Sequence, residues 1–211
     1  MPPGAHMDNS PTTSKPLQVL AVVGSLRQRS HTRLVMREAA RLLAAHQCAV
    51  DVLDFQAEPL PLYNPDTAHA SPAFPALQRR VQAADVLLLG APDYHGSISS
   101  VMKSFLDHFW KEFAGKLFAS IVSSHEKGLT VTDQLRTVAR QCYAWSLPYG
   151  VSFVSGEDVK NDEIVSGPLR ERLAMFARDI SVYGAAIARQ RALDLACAEP
   201  GFMARHRPST A

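Results

Sequence analysis

The chain has 211 residues, of which 46% are hydrophobic, and this length suits one sizeable core with nothing to indicate a second domain. Lys and Arg number 22 against 20 Asp and Glu, so the net charge is +2, and residues of both signs are interspersed. This balance argues against a broad basic surface of the kind that binds nucleic acid or an anionic membrane.

The N-terminal segment, residues 1–16, is rich in Pro, Ser and Thr and precedes apolar segments that alternate with helical patterns. We expect it to be flexible, and it has no apolar stretch long enough for a secretion signal or a membrane span. Each later short apolar segment predicts a strand, and the strands fall at 17–23, 49–54, 85–91, 117–123 and 149–154. Strands that alternate with helices predict an α/β fold with a parallel sheet covered on both faces.

The first strand ends in glycine, hydroxyl and guanidinium residues, which read Gly24-Ser25-Leu26-Arg27-Gln28-Arg29-Ser30. A helix follows directly, so the unpaired N–H groups at its positive end would lie beside these side chains. Ser25 and Ser30 offer hydroxyl groups, and Arg27 offers a charged fork that matches phosphate oxygens. The pattern predicts a phosphate site; the alternative is that Ser30 or Thr32 only caps the helix and Arg27 lies in solvent.

The helix predicted at 31–46 has two distinct faces. Its apolar face is spaced for burial and consists of Val35, Ala39, Leu42 and Leu43. A different face carries Arg33, Arg37 and Arg41, and we expect this basic stripe to be solvated. Only Arg33 lies close enough to the start of the helix to contact a phosphate.

The third strand runs into a second loop of unusual composition, which reads Pro92-Asp93-Tyr94-His95-Gly96-Ser97. A planar aromatic ligand needs a flat platform and backbone donors and acceptors along its edge, and residues of these types supply both. Within this loop, His95 either shapes the backbone with its ring exposed or contacts the ligand directly. The loop therefore predicts a site for a flat ring system.

The helix after Ser97 has more apolar surface than one face of a sheet needs. Its residues at core spacing are Met102, Phe105, Leu106, Phe109 and Phe113, and Trp110 lies outside that stripe. This pattern fits either a wide core stripe or a subunit interface.

A last helix, predicted at 167–188, has the spacing of a core helix. Beyond it, residues 189–211 are expected to form a tail that is mobile or packs on a neighbouring subunit.

Together the two loops resemble those of the NADPH-dependent FMN reductase family of flavodoxin-like proteins. That family carries a GSxRxxS phosphate loop and a PxYxGS flavin loop, and a helix with Lys-Asn and Asp follows the flavin loop. The corresponding segment of this chain reads Lys103-Ser104-Phe105-Leu106-Asp107. The resemblance runs from about Leu17 to about Val154, including the loop at 60–66 and the helix at 134–138. A flavodoxin-like three-layer α/β/α domain at 17–188 is therefore expected, with a five-stranded parallel sheet of order 2-1-3-4-5. Its switch point would place the loops after strands one and three side by side.

The resemblance implies an oxidoreductase that holds FMN and passes hydride from NADPH or NADH to a small acceptor, such as a flavin, a quinone, an azo dye or a metal oxyanion. No side chain is expected to act as a nucleophile, because the hydride chemistry belongs to the flavin. The expected FMN contacts are Ser25, Arg27, Ser30, Thr32, Pro92, Asp93, Tyr94, His95, Gly96, Ser97, Ile98, Ser123 and Ser124, and His95 and His125 are possible modulators. A cytoplasmic homodimer or homotetramer is also expected.

The loop after the fourth strand departs from the family. It reads Ser123-Ser124-His125-Glu126-Lys127-Gly128, whereas the family usually has glycines there. His125 and Lys127 could stabilise negative charge on reduced flavin or meet the phosphates of NADPH, or they could be ordinary exposed charges. Asp93 also differs, because the family commonly has glutamate at that position, and the shorter side chain could alter a contact at the flavin edge or with a subunit partner.

Several other kinds of site are not supported by the sequence. No GxGxxG follows a strand, so an ordinary dinucleotide-binding fold is not supported. None of the eight histidines has metal-ligand spacing, so no metal site is predicted. Three widely separated cysteines argue against a disulfide framework and fit a reducing cytoplasm. The neighbouring acids are expected to be solvated rather than catalytic; they are Asp51, Asp54, Glu157, Asp158, Asp162 and Glu163.

Three alternative functions remain open at the level of sequence. One is a quinone or azo reductase on the same scaffold. Another is a flavodoxin-like electron carrier or a flavin-binding regulator without NADPH turnover, although flavodoxins usually expose acidic surfaces that this chain lacks. The last is a scaffold that has lost the flavin, which the charged loop at 123–128 makes conceivable.

Overall fold

A computed structural model describes residues 15–125, 127–199 and 201–206, in which parallel strands form the centre of the molecule. The strands β1 (Gln18–Val23), β2 (Ala49–Asp54), β3 (Val86–Pro92) and β4 (Leu117–Ser123) pair in the order β2-β1-β3-β4. Every residue of β3 is buried, as expected for a strand covered by helices on both faces. The predicted flavodoxin-like order is confirmed.

The fifth position in the sheet is divided between two short strands, where the sequence predicted one strand at 149–154. The strand β5 (Trp145–Ser146) pairs with the start of β4, and β6 (Val151–Phe153) pairs with its end. Pro148 lies between them and has no N–H group to donate to the sheet, which is a physical reason for the break. Beside it, a Cβ atom on Gly150 would lie 2.5 Å from the Ser120 hydroxyl oxygen, so this close approach requires glycine.

Helices cover the two faces of the sheet and form two apolar cores. The helices α1 (His31–Ala45) and α5 (Gly167–Ala196) pack on one face. On the other face lie α2 (Phe74–Ala83), α3 (Ser100–Asp107) and α4 (Leu129–Gln141). A small antiparallel hairpin of β7 (Val159–Lys160) and β8 (Glu163–Ile164) follows β6.

Two helices end elsewhere than predicted. The helix α3 stops at Asp107, and Phe113 belongs to a separate turn of 3-10 helix at Lys111–Phe113, although Phe113 is still buried in the core. The helix α5 continues to Ala196 rather than ending at 188. Beyond it, Phe202 packs edge to face on Tyr143, with ring centroids 4.7 Å apart, so this part of the expected tail packs on its own chain.

A buried lysine closes the carboxyl end of α2. Lys116 is 1% exposed, and its ammonium group donates hydrogen bonds to the carbonyl oxygens of Val81, Gln82 and Ala84. Cations at this end of a helix satisfy carbonyl groups that have no partner within the helix. Burial, together with the charge of Arg191, lowers the pKa of Lys116 from 10.5 to about 7.

This lowered pKa predicts that stability depends on pH. Between pH 7 and 10.5 the unfolded chain keeps a proton on Lys116 that the folded chain releases. The free energy of unfolding of the wild type, relative to that of Lys116→Met, is therefore expected to rise with pH across this window. Urea unfolding of both proteins at several pH values measures the difference. Lys160→Met, at an exposed lysine, is the control, and a constant difference for Lys116→Met would contradict the prediction.

Candidate functional site

The loops after β1 and β3 lie side by side at the carboxyl edge of the sheet. The Gly24 N–H donates to the Gly90 carbonyl oxygen at 2.8 Å, and the hydroxyl of Ser99, which caps α3, donates to the Gly24 carbonyl oxygen at 2.6 Å. A Cβ atom on Gly24 would lie 2.8 Å from the Met102 methyl group, so this contact leaves no space for a side chain. The order in which successive strands are added to the sheet reverses between β1 and β3, and ligands of open α/β sheets bind at such a switch point.

The first loop presents hydrogen-bond donors at the start of α1. The Ser30 hydroxyl oxygen accepts a hydrogen bond from the Arg33 N–H at 3.2 Å and so caps the helix, as one interpretation predicted. Ser25 and Thr32 are buried beside it, and Arg27 is exposed. Hydroxyl groups, a guanidinium group and a helix N-terminus together form a donor set that suits a phosphate.

Arg33 lies beneath this loop, and the prediction that it is part of a solvated stripe is wrong. It is 7% exposed and donates to the carbonyl oxygens of Arg27 at 2.7 Å, Gln28 at 3.0 Å and Ser25 at 3.1 Å. These carbonyl groups would otherwise repel an anion, so a buried cation that binds them shapes the loop for anion binding. Arg37 and Arg41, which lie farther along α1, are exposed as expected.

The carboxylate of Asp54 at the end of β2 holds Arg33 in place. The two side chains are 8% and 14% exposed, and the Arg33 Nε donates to Asp54 Oδ2 at 2.5 Å. Burial alone would raise the pKa of Asp54, but hydrogen bonds from Arg33 and from the Gln56 N–H, with the charge of Arg33, lower this pKa on balance. Asp54 was expected to be solvated, and its buried ion pair corrects that expectation.

The second loop is a tight turn that Asp93 fastens to the sheet. Tyr94 and Ser97 exchange backbone hydrogen bonds of 3.0 and 3.1 Å, with His95 and Gly96 at φ values of 58° and 72° between them. Two successive positive φ angles are typical of a type I′ turn. The Asp93 carboxylate accepts hydrogen bonds from the Gly96 N–H and from the Ser124 hydroxyl, both at 2.8 Å.

Gln134 on α4 secures the other side of the same turn. Its side-chain oxygen accepts hydrogen bonds from the Ser97 hydroxyl at 3.1 Å and the Ile98 N–H at 3.0 Å, and its amide nitrogen donates to the Gly96 carbonyl oxygen at 3.2 Å. The His95 side chain is exposed. This arrangement fits the interpretation of His95 as a residue that shapes the backbone.

Side chains from both loops and from the ends of β4 and β6 line one cavity of about 130 Å³. Typical ligand pockets enclose about 300–1,000 Å³, so a mononucleotide would have only part of its surface enclosed here. The lining residues are Ser25, Arg27, Ser30, His31, Thr32, Pro92, Asp93, Tyr94, Ser123, Ser124, His125 and Ser155. The candidates that do not line it are His95, Gly96, Ser97 and Ile98.

Two lining residues, His31 and Ser155, were missed by the sequence analysis. The His31 Nδ1 lies 3.1 Å from the Ser155 hydroxyl oxygen, which lies 3.2 Å from the Ser123 hydroxyl oxygen. These contacts connect the start of α1 to the ends of β4 and β6. The signal for Ser155 was its place just after a strand, because the carboxyl ends of parallel strands share one edge of the sheet.

Residues of the charged loop after β4 line two different cavities. Ser124 and His125 face the cavity described above, and Lys127 lines a neighbouring one; Glu126 lies outside the described residues. Gly128 has a φ of +62°, and a Cβ atom there would lie 2.6 Å from a Val122 methyl group. Glycine is therefore required at the point where this loop turns into α4.

The part of the chain that the structure describes offers neither a metal centre nor a membrane-spanning helix. Within it, no group of three or more His, Cys, Asp or Glu residues could hold a metal ion. No described helix is both long enough and apolar enough to cross a membrane. The donor set fits a mononucleotide, because hydroxyl and guanidinium groups at a helix end suit a phosphate and Pro92 with Tyr94 provides a flat apolar surface nearby.

Comparisons with known proteins agree with this chemistry. The model of a family described as NADPH-dependent FMN reductase matches residues 17–158. The chain is 31% identical over 140 residues to the NADPH-dependent FMN reductase ArsH of Shigella flexneri, and the match covers 63% of this chain. Only 54% of the Shigella protein is covered, so the match spans about half the length of that relative.

A second relative and a solved structure extend the comparison. The chain is 24% identical over 152 residues to an FMN-dependent NADPH-azoreductase of Staphylococcus aureus, with 68% of this chain and 80% of that protein covered. The structure of FerB from Paracoccus denitrificans, a flavoenzyme NAD(P)H:(acceptor) oxidoreductase, superposes with a TM-score of 0.68 at 19% identity. That superposition covers 81% of this chain and 98% of FerB, and it supports the fold.

Proposed function

Because the chain belongs to the NADPH-dependent FMN reductase family, we propose that it holds FMN at the switch point of its sheet and oxidises NADPH to reduce a small acceptor. The observation that carries this proposal is the hydrogen-bonded contact between the Gly24 and Gly90 backbones, with Ser99 bound to Gly24. This contact brings the loop that we propose binds the phosphate next to the turn that carries Tyr94. A mononucleotide with a flat ring system would use both.

In the proposed site each residue has a role that follows from its position. Arg27, Ser25 and Ser30 would bind the phosphate, with the N-terminus of α1 adding its positive end. Pro92 and Tyr94 would support the ring system, and Asp93 and Gln134 hold the turn that presents them. Bound FMN would supply the hydride chemistry, so no protein nucleophile is needed. His125, which lines the cavity and is exposed, would lie at the rim of the site.

The class of acceptor separates this function from its nearest alternative. The Staphylococcus relative is named an azoreductase and the Shigella relative an FMN reductase, so both acceptor classes are compatible with the family. Comparing the rates with free FMN, a quinone and an azo dye at one NADPH concentration identifies the preferred class. An electron carrier without NADPH turnover would show no steady-state rate with any of them.

The decisive experiment follows the visible spectrum of the purified protein. We expect a bound yellow chromophore that bleaches when NADPH is added under anaerobic conditions, because NADPH reduces oxidised flavin. Retention of FMN after gel filtration, at a stoichiometry near one per chain, is the binding measurement. A flavin that stays oxidised with NADPH and NADH would indicate a carrier, and a colourless protein that does not bind added FMN would contradict the proposal.

We also propose that the protein works in the cytoplasm as a homodimer or homotetramer. Two large apolar side chains, Leu62 and Trp110, are 79% and 58% exposed. Exposed apolar groups of this size are typical of protein interfaces. The cysteines, Cys48, Cys142 and Cys197, are unpaired, as suits a reducing compartment. Light scattering on the wild type and on Trp110→Ser tests the assembly.

A further inference from the structure

A second cavity, of about 500 Å³, lies next to the proposed FMN site at the edge of the sheet. Its walls are the start of α4, the segment from Pro148 to Val154 and one turn of α5. Among the residues that the structure describes, three cations line this cavity, Lys127, Arg136 and Arg172, and one carboxylate does, that of Asp158. The cavity therefore has an excess of positive charge, and the mechanism proposed above makes no use of it.

Two of the three cations are available to a ligand. Arg136 is already engaged, because it pairs with Asp133 at 3.3 Å and donates to the Pro148 carbonyl oxygen. Among the residues that the structure describes, no carboxylate lies within ion-pair distance of Lys127 or Arg172. The carboxylate of Asp158 accepts a hydrogen bond from the Val154 N–H at 2.8 Å, which ties it to its own loop.

The basic surface on α1 lacks the excess of positive charge that this cavity has. The cleft beside α1 is lined by Arg37, Arg41 and Arg170 and by an equal number of acids, Glu38, Asp162 and Glu163. Arg41 is also paired, because it donates two hydrogen bonds, of 2.8 and 2.7 Å, to Glu38. That cleft has no excess charge to attract an anion.

The cavity on α4 is also in the right place for a ligand that reaches the FMN site. The two cavities share the loop after β4, where His125 faces one and Lys127 faces the other. They also share the end of β6, since Val154 lines one and Ser155 the other. Leu129, which is 67% exposed, and Tyr149 add apolar surface to the cationic wall. Such a mixture suits a purine that carries a phosphate.

We propose that this cavity binds the adenosine 2′-phosphate end of NADPH, with Lys127 and Arg172 as the residues that bind the phosphate. This inference rests on the proposed function, because it assigns a site to the electron donor of that reaction. A phosphate monoester carries close to two negative charges at neutral pH, so two unpaired cations match it. NADH lacks this phosphate and would gain nothing from either residue. The cavity would thus determine the preference for NADPH over NADH.

The test measures binding of 2′,5′-ADP, a fragment that carries the phosphate in question and no nicotinamide. Calorimetry on the FMN-loaded wild type is expected to show tighter binding of 2′,5′-ADP than of 5′-AMP. Lys127→Ala and Arg172→Ala are each expected to weaken 2′,5′-ADP about tenfold, since hydrogen bonds to charged groups are of that strength. The KM for NADPH should rise by a similar factor while the KM for NADH stays constant.

Arg189→Ala is the matched control, because Arg189 is an exposed arginine on the same helix, about 25 Å from Arg172 along its axis. Circular dichroism and the flavin absorbance verify that each variant is folded and loaded with FMN. Equal binding of 2′,5′-ADP by the wild type and both variants would overturn the proposal, and so would equal affinity for 2′,5′-ADP and 5′-AMP. If the proposed function itself were wrong, the outcome would be different: the protein would not hold FMN, or neither NADPH nor NADH would reduce the bound flavin.

Discussion

Arg33→Ala is expected to unfold more easily than the wild type by about 3 kcal/mol, because removing one partner of a buried ion pair leaves the other charge without compensation. The substitution would remove the hydrogen bonds that the Arg33 guanidinium group donates to the Asp54 carboxylate. It would also remove those to the carbonyl oxygens of Ser25, Arg27 and Gln28. FMN retention should fall as well, because the phosphate loop loses its support. Urea unfolding and flavin absorbance after gel filtration measure the two effects.

Two further variants separate the geometry of Arg33 from its charge. Arg33→Lys keeps the cation but cannot reach three carbonyl groups and a carboxylate at once, so we expect an intermediate loss of stability. Arg37→Ala, at an exposed arginine on the same helix, should change the free energy of unfolding little. If Arg33→Ala were as stable as Arg37→Ala, the proposed support of the loop would be wrong.

The same ion pair predicts a dependence on pH in the acid range. The pKa of Asp54 is lowered in the folded protein, so its contribution to stability is fully present above its ordinary value of 3.8 and is lost as the pH falls through the lowered value. The difference in unfolding free energy between the wild type and Arg33→Ala should therefore shrink below pH 4. Arg33→Ala removes the largest cause of the lowered pKa and should show less of this acid loss.

Arg27→Ala is expected to weaken FMN binding by about 30-fold while leaving the fold intact. Hydrogen bonds to charged groups contribute about 1.5–3 kcal/mol, and the exposed Arg27 side chain is placed to make them to the phosphate. The loop conformation should survive, because only the backbone carbonyl of Arg27 is bound by Arg33. Fluorescence titration of the apoprotein with FMN measures the dissociation constant.

Arg41→Ala is the matched control for Arg27→Ala, because Arg41 lies on α1 away from the cavity and pairs with Glu38. We expect this variant to bind FMN as the wild type does. Riboflavin, which lacks the phosphate, provides a second control: its affinity should be the same for Arg27→Ala and the wild type. Equal retention of FMN by Arg27→Ala and Arg41→Ala would refute the assignment of the phosphate site.

Much of the fold followed from local patterns in the chain. Short apolar segments predicted the first four strands to within a residue or two. The signal is strongest in β3, which is buried along its whole length and has no polar side chain, whereas β2 at the edge of the sheet contains the exposed Asp51. The two loops were recognised as neighbours because the strand order alone brings the carboxyl ends of β1 and β3 together. Most residues that line the cavity were identified for the same reason.

The details that escaped prediction depend on contacts between distant parts of the chain. An arginine on a helix is normally solvated, and Arg33 is buried only because Asp54, at the end of a different strand, accepts its hydrogen bonds. In the same way, the roles of Gln134 and Ser155 arise from segments that fold back onto the loops. Local periodicity contains no information about such partners.

The sequence by itself thus determined the positions of the strands, the two loops and the chemistry of their side chains, since burial and turn formation are governed by neighbouring residues. The order of the strands followed from the family resemblance rather than from a local pattern, because strands that pair in the sheet are distant in the chain. Only the tertiary structure decided which cations form hydrogen bonds or ion pairs within the protein and which are available to bind a ligand. Arg33 is bound internally, whereas Arg27 and Arg172 are exposed. The difference depends on how far each cation lies from a carboxylate or carbonyl group elsewhere in the chain. These distances are fixed only when the sheet and its helices have packed.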